Sequence, residues 1–346
     1  LFTGWSGDIG DIDTTENPIQ LSIIESKTVT ATFESLIGKT YVPDDNFEQY
    51  LINKGYDDVL DNYVLSDNIK SISNLELPDL NISDLTGIKD FISLSKLNCS
   101  RNNLTNLNFS YNLSLTELFC YGNPLTTLNV TNNKSLIVLW CWSNNLSNLD
   151  VSNNTSLKEL RDGYNQLKNL DLSKNTSLEY LQITDNQLSN LDLSKNTSLN
   201  VLSLGSLKLL NLDISNNTNL SNLSISKTPL TNLDLSKNTS LEILGISDIK
   251  LLNLDISNNT NLSIIGINRN SLTSLDLTNN KLLKELYCGY NYLTQLNVSN
   301  NTLLRKLDCK NNRLSSLDIS NNTFLTSGVN CTSNLLDCIQ VNETQM

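Results

Sequence analysis

The sequence predicts a β-rich solenoid, a right-handed coil with one long parallel sheet and few helices. Leucine recurs every 21 residues from Leu94 to Leu304, which marks eleven consecutive units. Each unit carries the apolar pattern L-x-x-L-x-L followed by a polar turn, and carries it twice. With the recurring leucine counted as position 1 of each unit, asparagine occupies position 19 of all eleven units, from Asn112 to Asn322. Such a short fixed period is typical of repeat architectures in which neighbouring coils complete one core.

The spacing within a unit favours strands over helices. A helix would need apolar residues three and four apart over several turns. The L-x-L step instead places two side chains on one face of an extended segment. We therefore expect a short strand on each side of every coil. A 22-residue stretch from Ile72 to Ser93 precedes the eleven units and is interpreted as the first coil.

This pattern resembles the leucine-rich repeat family. More narrowly, it resembles the short bacterial 21-residue class of secreted and surface proteins from Bacteroidetes-like bacteria, over residues 72–325. The resemblance implies that the position-19 asparagines point into the coil and bond backbone groups of the turn. Asn175, Asn196 and Asn238, each followed by Thr-Ser, would then be buried rungs of a ladder and not N-glycosylation acceptors.

The ends of the chain predict four regions. Residues 1–34 resemble the end of a bacterial extracellular adhesin repeat, with strands expected at 21–25 and 28–33. Residues 35–68 are expected to form a helical N-terminal cap, with Asp44 or Asp45 capping a helix that turns Phe47, Leu51 and Ile52 to one face. The solenoid proper is expected at 69–324, and a partial C-terminal cap at 325–346.

Composition narrows the classes of function. The net charge of −12 disfavours nucleic acid and anionic membranes as partners, because both attract clustered Lys and Arg. The chain has no histidine, which excludes histidine-dependent triads, HExxH zinc sites and histidine acid–base catalysis within it. No apolar run is long enough to predict membrane insertion. We expect part of a larger polypeptide or assembly, secreted or displayed on a bacterial surface, without cofactor or metal.

Several polar residues allow more than one interpretation. Five cysteines share position 6, so they are expected to be buried free thiols: Cys99, Cys120, Cys141, Cys288 and Cys309. Cys338 can pair with Cys331 or with a cysteine outside the chain. Asp162 occupies the same inward slot, where it either accepts local backbone N–H groups or marks a cation site. Asp57, Asp58 and Asp61 form either a solvated turn or a Ca²⁺ loop, although they lack the glycine and the spacing of a typical one.

Outward positions of the first strand supply the candidate ligand-binding residues. On adjacent strands they bring aromatic side chains together on the concave face, where exposed aromatic clusters commonly bind partners. The candidates are Phe119, Tyr121, Trp140, Trp142, Arg161, Tyr164, Tyr180 and Tyr287. The alternative is that these rings only stiffen the sheet by cross-strand packing. The opposite face carries a column of aspartates, from Asp150 to Asp276, that predicts no more than a solvated acidic surface.

Three hypotheses of function follow. The first is a binding module that recognises a protein or a glycan through the aromatic concave face. The second is a structural spacer in a large adhesin, because the segment KLLNLDISNNTNLS occurs at Lys208 and again at Lys250. The third is a glycosidase acid pair, since Glu117 and Glu159 lie two strands apart, about 9.6 Å. One acid pair is weak evidence, so we expect no enzyme.

Overall fold

The computed structural model describes residues 2–16, 18–22, 25–33, 35–326 and 328–342. It confirms the predicted solenoid: successive coils each add one strand to a 13-stranded sheet in which every neighbouring pair is parallel. Its strands are β5 Asn74–Glu76, β6 Lys96–Asn98, β7 Glu117–Phe119, β8 Val138–Trp140, β9 Glu159–Gly163, β10 Tyr180–Thr184, β11 Val201–Gly205, β12 Asn222–Ser226, β13 Ile243–Ser247, β14 Ile264–Gly266, β15 Glu285–Tyr287, β16 Lys306–Asp308 and β18 Val329–Asn330.

The 21-residue period sets the register of this sheet. Leu118 lies opposite Leu139, and Leu139 opposite Leu160, so equivalent positions of successive units stack directly. The inward leucines form one continuous hydrophobic core, in which most are buried and Leu212, Leu233 and Leu254 are partly buried. Equivalent outward positions also form columns, which is how residues 21 apart come to share a surface.

The cysteines at position 6 are part of this core. All five are buried, and all seven cysteines of the chain are free thiols in the structure. Burial raises the pKa of the Cys99 thiol to about 12, so the reactive thiolate is suppressed there. Cys331 is half-buried and Cys338 exposed, and neither takes part in a disulfide in the structure.

The position-19 asparagines form the ladder that the sequence predicts. Asn175 is fully buried, and its side-chain amide donates to the carbonyl groups of Val151 at 3.0 Å and Asn154 at 2.9 Å. The same pair of bonds recurs in neighbouring coils, for example from Asn196. A second ladder comes from position 9, where the Asn144 amide donates to Cys120 and Cys141 and its Oδ1 accepts from the N–H of Leu125. Buried turns are thereby supplied with hydrogen-bond partners.

Asn175→Ala is expected to lower the free energy of unfolding by about 1–3 kcal/mol, because two buried carbonyl groups lose their donor. Ser177→Ala, two residues away in the same N-x-S tripeptide, is the control and should change little. Urea denaturation of both variants beside the parent measures the difference. A sugar found on Asn175 by mass spectrometry would contradict the ladder.

The second side of the coil differs from the prediction of regular strands. Within the described residues it has only the bridges Asn108–Asn129–Asp150 and one strand pair near the C-terminus. The aspartates of this side form turns with their own backbone. Asp171 Oδ1 accepts from the N–H of Ser173 at 2.8 Å, and this bond lowers the pKa of the carboxyl. The same bond forms a tight turn of the backbone directly after Asp171. The acidic column therefore shapes turns, beyond the solvated surface that we expected.

The N-terminal part packs a helix over the first coil. Helix α1 spans Asp45–Asn53 and is capped by Asp44, whose Oδ1 accepts from the N–H groups of Asn46 and Phe47. Phe47 and Leu51 are fully buried, and Ile52 is half-buried. The remaining elements here are the antiparallel pair β3 Lys39–Tyr41 and β4 Tyr63–Leu65, helix α2 Ser66–Ile69 and a 3-10 helix Ile88–Asp90. Within the described residues, no helix is long and apolar enough to cross a membrane.

The first residues form a separate two-stranded sheet, in which β1 Phe2–Gly7 pairs antiparallel with β2 Val29–Phe33. The strand expected at 21–25 is wrong at residues 21, 22 and 25, and residues 23 and 24 lie outside the described residues. The partner of β2 is thus the opening segment. Trp5 fixes the intervening loop by donating to the carbonyl of Glu16.

The sheet continues past residue 324, where the sequence pattern predicts that the solenoid ends. Leu307 pairs with Val329, so this last coil has 22 residues instead of 21. Asn334 donates to the carbonyls of Cys309 and Cys331, as a position-9 asparagine does. On the second side, β17 Ser316–Asp318 pairs with β19 Cys338–Gln340. Because of the extra residue, this coil does not fit the 21-residue spacing of the preceding units.

Candidate binding site on the concave sheet

The sheet register brings most of the predicted aromatic residues together. Phe119, Trp140 and Arg161 occupy the same position on β7, β8 and β9 and face one another in consecutive strands. Tyr121 and Trp142 follow two residues after the first two, on the same side of the sheet. Tyr180 lies on the next strand, opposite Glu159. We call Phe119, Tyr121, Trp140, Trp142, Arg161 and Tyr180 the aromatic cluster.

The rings of the cluster pack against one another. Tyr121 and Trp142 are stacked, with centroids 4.2 Å apart and planes 9° from parallel. Trp140 meets Phe119 edge to face at 4.8 Å. The four rings are half-buried as a result. The rings contact one another on the concave surface, while Leu139 and Cys141, on either side of Trp140 in the sequence, point into the core.

Arg161 lies at the centre of a polar network. Its guanidinium carbon is 4.4 Å from the ring centre of Trp140 and 4.5 Å from that of Tyr180, on the neighbouring strands. The Nε–H donates to Glu159 Oε1 at 2.6 Å, and the indole N–H of Trp140 donates to the same oxygen at 2.9 Å. Glu159 therefore fixes both side chains and balances the charge of the guanidinium locally.

An open cleft of about 300 Å³ lies beside this network. Its lining includes Tyr121, Trp142 and Tyr164, together with Gln182 and Thr184 of the next strand. Gly163 also lines the cleft, and a Cβ there would come within 2.5 Å of the Thr184 hydroxyl oxygen, so a larger residue would displace the Thr184 side chain. The cleft thus combines aromatic faces, amide and hydroxyl groups, and a guanidinium that is already held in place.

The structure separates the predicted residues into two groups. Seven of the eight lie in the cluster or line the cleft, whereas Tyr287 lies on β15, six strands from β9, or about 29 Å away. Tyr287 instead donates its hydroxyl to Glu285. Glu159, Gln182 and Thr184 were missing from the predicted set. Their sequence signal is their spacing, because they occupy outward positions beside residues already in it.

Asp162 lies directly beneath the cleft in the core. It is 1% exposed, and its carboxylate accepts from the side-chain amides of Asn165 at 2.6 Å and Asn186 at 2.7 Å. The expectation that it accepts local backbone N–H groups is therefore wrong. In other coils the equivalent amides donate to main-chain carbonyls, as Asn144 does to Cys141. Burial raises the pKa of Asp162 to about 6, against the effect of these donors.

A larger cleft, of about 580 Å³, lies between residues 83–89 and 105–108, away from the concave sheet. Its lining contains no aromatic side chain. Since binding energy concentrates in large, fixed aromatic and arginine side chains, the concave cleft is the stronger candidate.

Comparison with known proteins places the fold among the leucine-rich repeat structures. The functional domain of InlJ from Listeria monocytogenes, which includes a cysteine ladder, is 29% identical and has a TM-score of 0.71, with 88% of this chain and 72% of that one covered. The internalin InlF from the same organism is 21% identical with a TM-score of 0.75, covering 88% and 92%. A leucine-rich repeat protein from Leptospira interrogans is 23% identical with a TM-score of 0.70, covering 75% and 72%. No protein-family model and no curated protein matches the chain.

Proposed function

We propose that this chain is an extracellular or cell-surface binding module that recognises a protein or a glycan through the aromatic cluster and its cleft. The observation that carries the proposal is the fixed position of Arg161 between Trp140 and Tyr180, held by Glu159. None of these contacts belongs to the leucine core. A cluster already ordered in the free protein loses little side-chain entropy on binding, which favours affinity.

The chemistry of the cleft supports a partner that offers both flat apolar surface and hydrogen-bonding groups. Aromatic faces bind the apolar faces of side chains or sugar rings, and Gln182 and Thr184 provide polar contacts. A polyanion is disfavoured, since the chain carries a net charge of −12 and Glu159 balances Arg161. Nucleic acid is therefore excluded from the proposal.

The acid pair of Glu117 and Glu159 does not support catalysis. Glu159 Oε1 accepts from both Trp140 and Arg161, and Glu117 lies 3.8 Å from the ammonium group of Lys96. A glycosidase acid would need access to the substrate oxygen. These contacts instead make Glu159 the residue that positions the cluster.

The spacer remains the second candidate, and the repeated segment KLLNLDISNNTNLS favours it. The face of these coils carries small side chains, as at Ser203, Ser224 and Gly245. A spacer function would select for coil number and leave the concave side chains without a ligand.

Intrinsic fluorescence distinguishes the two candidates. The chain has three tryptophans, so a Trp5→Phe variant reports only Trp140 and Trp142. Protein and glycan arrays probed with the parent chain should identify a ligand, and that ligand should shift or quench the fluorescence of the variant. Binding without any change in this signal would place the site elsewhere. Failure of every arrayed protein and glycan to bind would leave the spacer.

A further inference from the structure

Helix α1 buries a carboxylate under the loop that follows it. Glu48 is fully buried. Its Oε1 accepts from the backbone N–H groups of Asp61 and Tyr63, each at 3.0 Å. Its Oε2 is buried as well and has no hydrogen-bond partner in the structure. A carboxylate oxygen removed from water without a donor is unfavourable, so this oxygen needs an explanation.

A second such oxygen lies in the loop itself. Asp57 Oδ2 is buried and without a hydrogen-bond partner. The loop that carries Asp57 folds over Glu48, since the N–H of Asp61 in that loop donates to Glu48 Oε1. Burial raises the pKa of Glu48 against its backbone N–H donors, and the charge of Asp57 raises it further. Burial likewise raises the pKa of Asp57, with added contributions from Asp61 and Asp58. The charge of Lys39 lowers the pKa of Asp57. Its Nζ lies 3.8 Å from Asp61 Oδ2.

Two neighbouring carboxylates with unpartnered oxygens can be stabilised by a shared proton or by a cation. The two backbone N–H donors on Glu48 Oε1 favour the ionised form of that group. Asp58 and Asp61 add negative charge to the same loop, which attracts a cation. All available groups are oxygens, the ligands that Ca²⁺ prefers. The surroundings therefore favour a hard divalent cation.

We propose that the loop between α1 and β4 binds Ca²⁺ between Glu48 Oε2 and Asp57 Oδ2. The described residues contain no group of three or more His, Cys, Asp or Glu side chains placed to hold a metal. The remaining ligands would therefore be water and main-chain carbonyls of the loop, and across the described part of the chain no backbone N–H donates to the carbonyls of residues 58–61. A site with two carboxylates is weak, with a dissociation constant of about 10⁻⁴–10⁻³ M, as in extracellular modules.

Such a site would stabilise the N-terminal end of the solenoid. Glu48 lies on the helix whose Phe47 and Leu51 cover the core, whereas Asp57 lies in the loop leading to β4. A cation held by both would join the helix to the loop. Ca²⁺ should accordingly protect this end against heat and proteolysis.

Thermal unfolding of the whole chain tests the proposal, with CaCl₂ compared against EDTA and against NaCl at matched ionic strength. At a Ca²⁺ concentration about tenfold above the dissociation constant, the melting temperature should rise by about 2 °C. Asp57→Asn should abolish the rise. Its matched control is Asp67→Asn on α2, which removes the same charge from an exposed carboxylate and should keep the rise.

Terbium luminescence gives a second readout that does not depend on global stability. Tb³⁺ should bind the parent chain and be displaced by Ca²⁺. Asp57→Asn should lose this luminescence signal. Asp57→Asn is used because Glu48 is fully buried and Glu48→Gln can fail to fold. The alternative outcome is a melting temperature that does not change with Ca²⁺ but rises as the pH is lowered from neutral. If Asp57→Asn removes that rise, a shared proton is established and the cation site is overturned. Equal shifts in CaCl₂ and in matched NaCl would overturn it too.

Discussion

Asp162→Cys is expected to stabilise the solenoid at neutral pH, by on the order of 1–3 kcal/mol. The carboxyl has a pKa of about 6 in the folded chain, against an ordinary value of 3.8, because it is buried in the core. Cysteine is close to aspartate in size and already occupies this slot in the preceding coils, at Cys120 and Cys141. Few single changes in the core of a protein are expected to stabilise it by this much.

The hydrogen bonds around the slot should adjust to the change. Asn165 and Asn186 now donate to the Asp162 carboxylate. In the neighbouring coils the amide of Asn123 donates to the main-chain carbonyls of Cys99 and Cys120. With cysteine at 162, the two amides can adopt this arrangement and leave no donor without a partner.

The gain should depend on pH in a defined direction. As the pH falls through about 6, folded Asp162 takes up a proton while the unfolded chain stays ionised until near 3.8. The parent chain therefore recovers stability between neutral pH and about pH 4, and its deficit relative to Asp162→Cys shrinks. The aspartates of the acidic column, whose pKa values are lowered, act the other way but are common to both proteins.

Urea denaturation at several pH values measures this difference directly. Ile183→Cys is the matched control, since it places cysteine in the same slot of the next coil, where Ile183 pairs with Asp162. That change should destabilise by about 1 kcal/mol through lost burial, equally at every pH. A difference between Asp162→Cys and the parent that does not vary with pH would show that Asp162 does not titrate in this range.

The sequence predicts the solenoid well because its core is periodic. Every coil repeats the same inward positions, so one correct register places Leu118, Leu139 and Leu160 in a column. The same register places Phe119, Trp140 and Arg161 side by side. The last coil does not follow the 21-residue period, because one extra residue shifts Val329, Cys331 and Asn334 by one position.

Other features depend on side-chain contacts that periodicity does not encode. The position of Arg161 between two rings follows from the carboxylate of Glu159, which sequence reasoning treated as a candidate acid. Glu48 gives no sign in the sequence of being buried, because it lies among the polar residues of an amphipathic helix. The second side of the coil repeats the leucine pattern, yet among the described residues it forms only two β-bridges and one strand pair.

Trp140→Ala combined with Trp142→Ala is expected to weaken ligand binding by about 100-fold or more while the chain stays folded. The change removes the stacking partner of Tyr121 and one of the two rings beside Arg161. The indole of Trp140 also stops donating to Glu159. Both rings lie on the concave surface, so the buried Leu139 and Cys141 keep their contacts.

The matched control is Ser224→Ala combined with Ser226→Ala. These residues lie on β12, four strands from β8 and about 19 Å away, on the same concave face. Their change tests whether any alteration of that face disturbs binding. Thermal unfolding of both double variants shows whether a loss of binding comes from loss of fold.

Binding of the three proteins to a ligand found on the protein or glycan arrays separates the remaining hypotheses. Loss in the tryptophan variant alone supports recognition by the aromatic cluster, because only that variant lacks large rings fixed before the ligand arrives. Equal loss in both variants would indicate a ligand spread along the whole concave sheet. Equal binding by all three would mean that the cluster only stiffens four neighbouring strands, from β7 to β10, and would leave the spacer as the function of these coils.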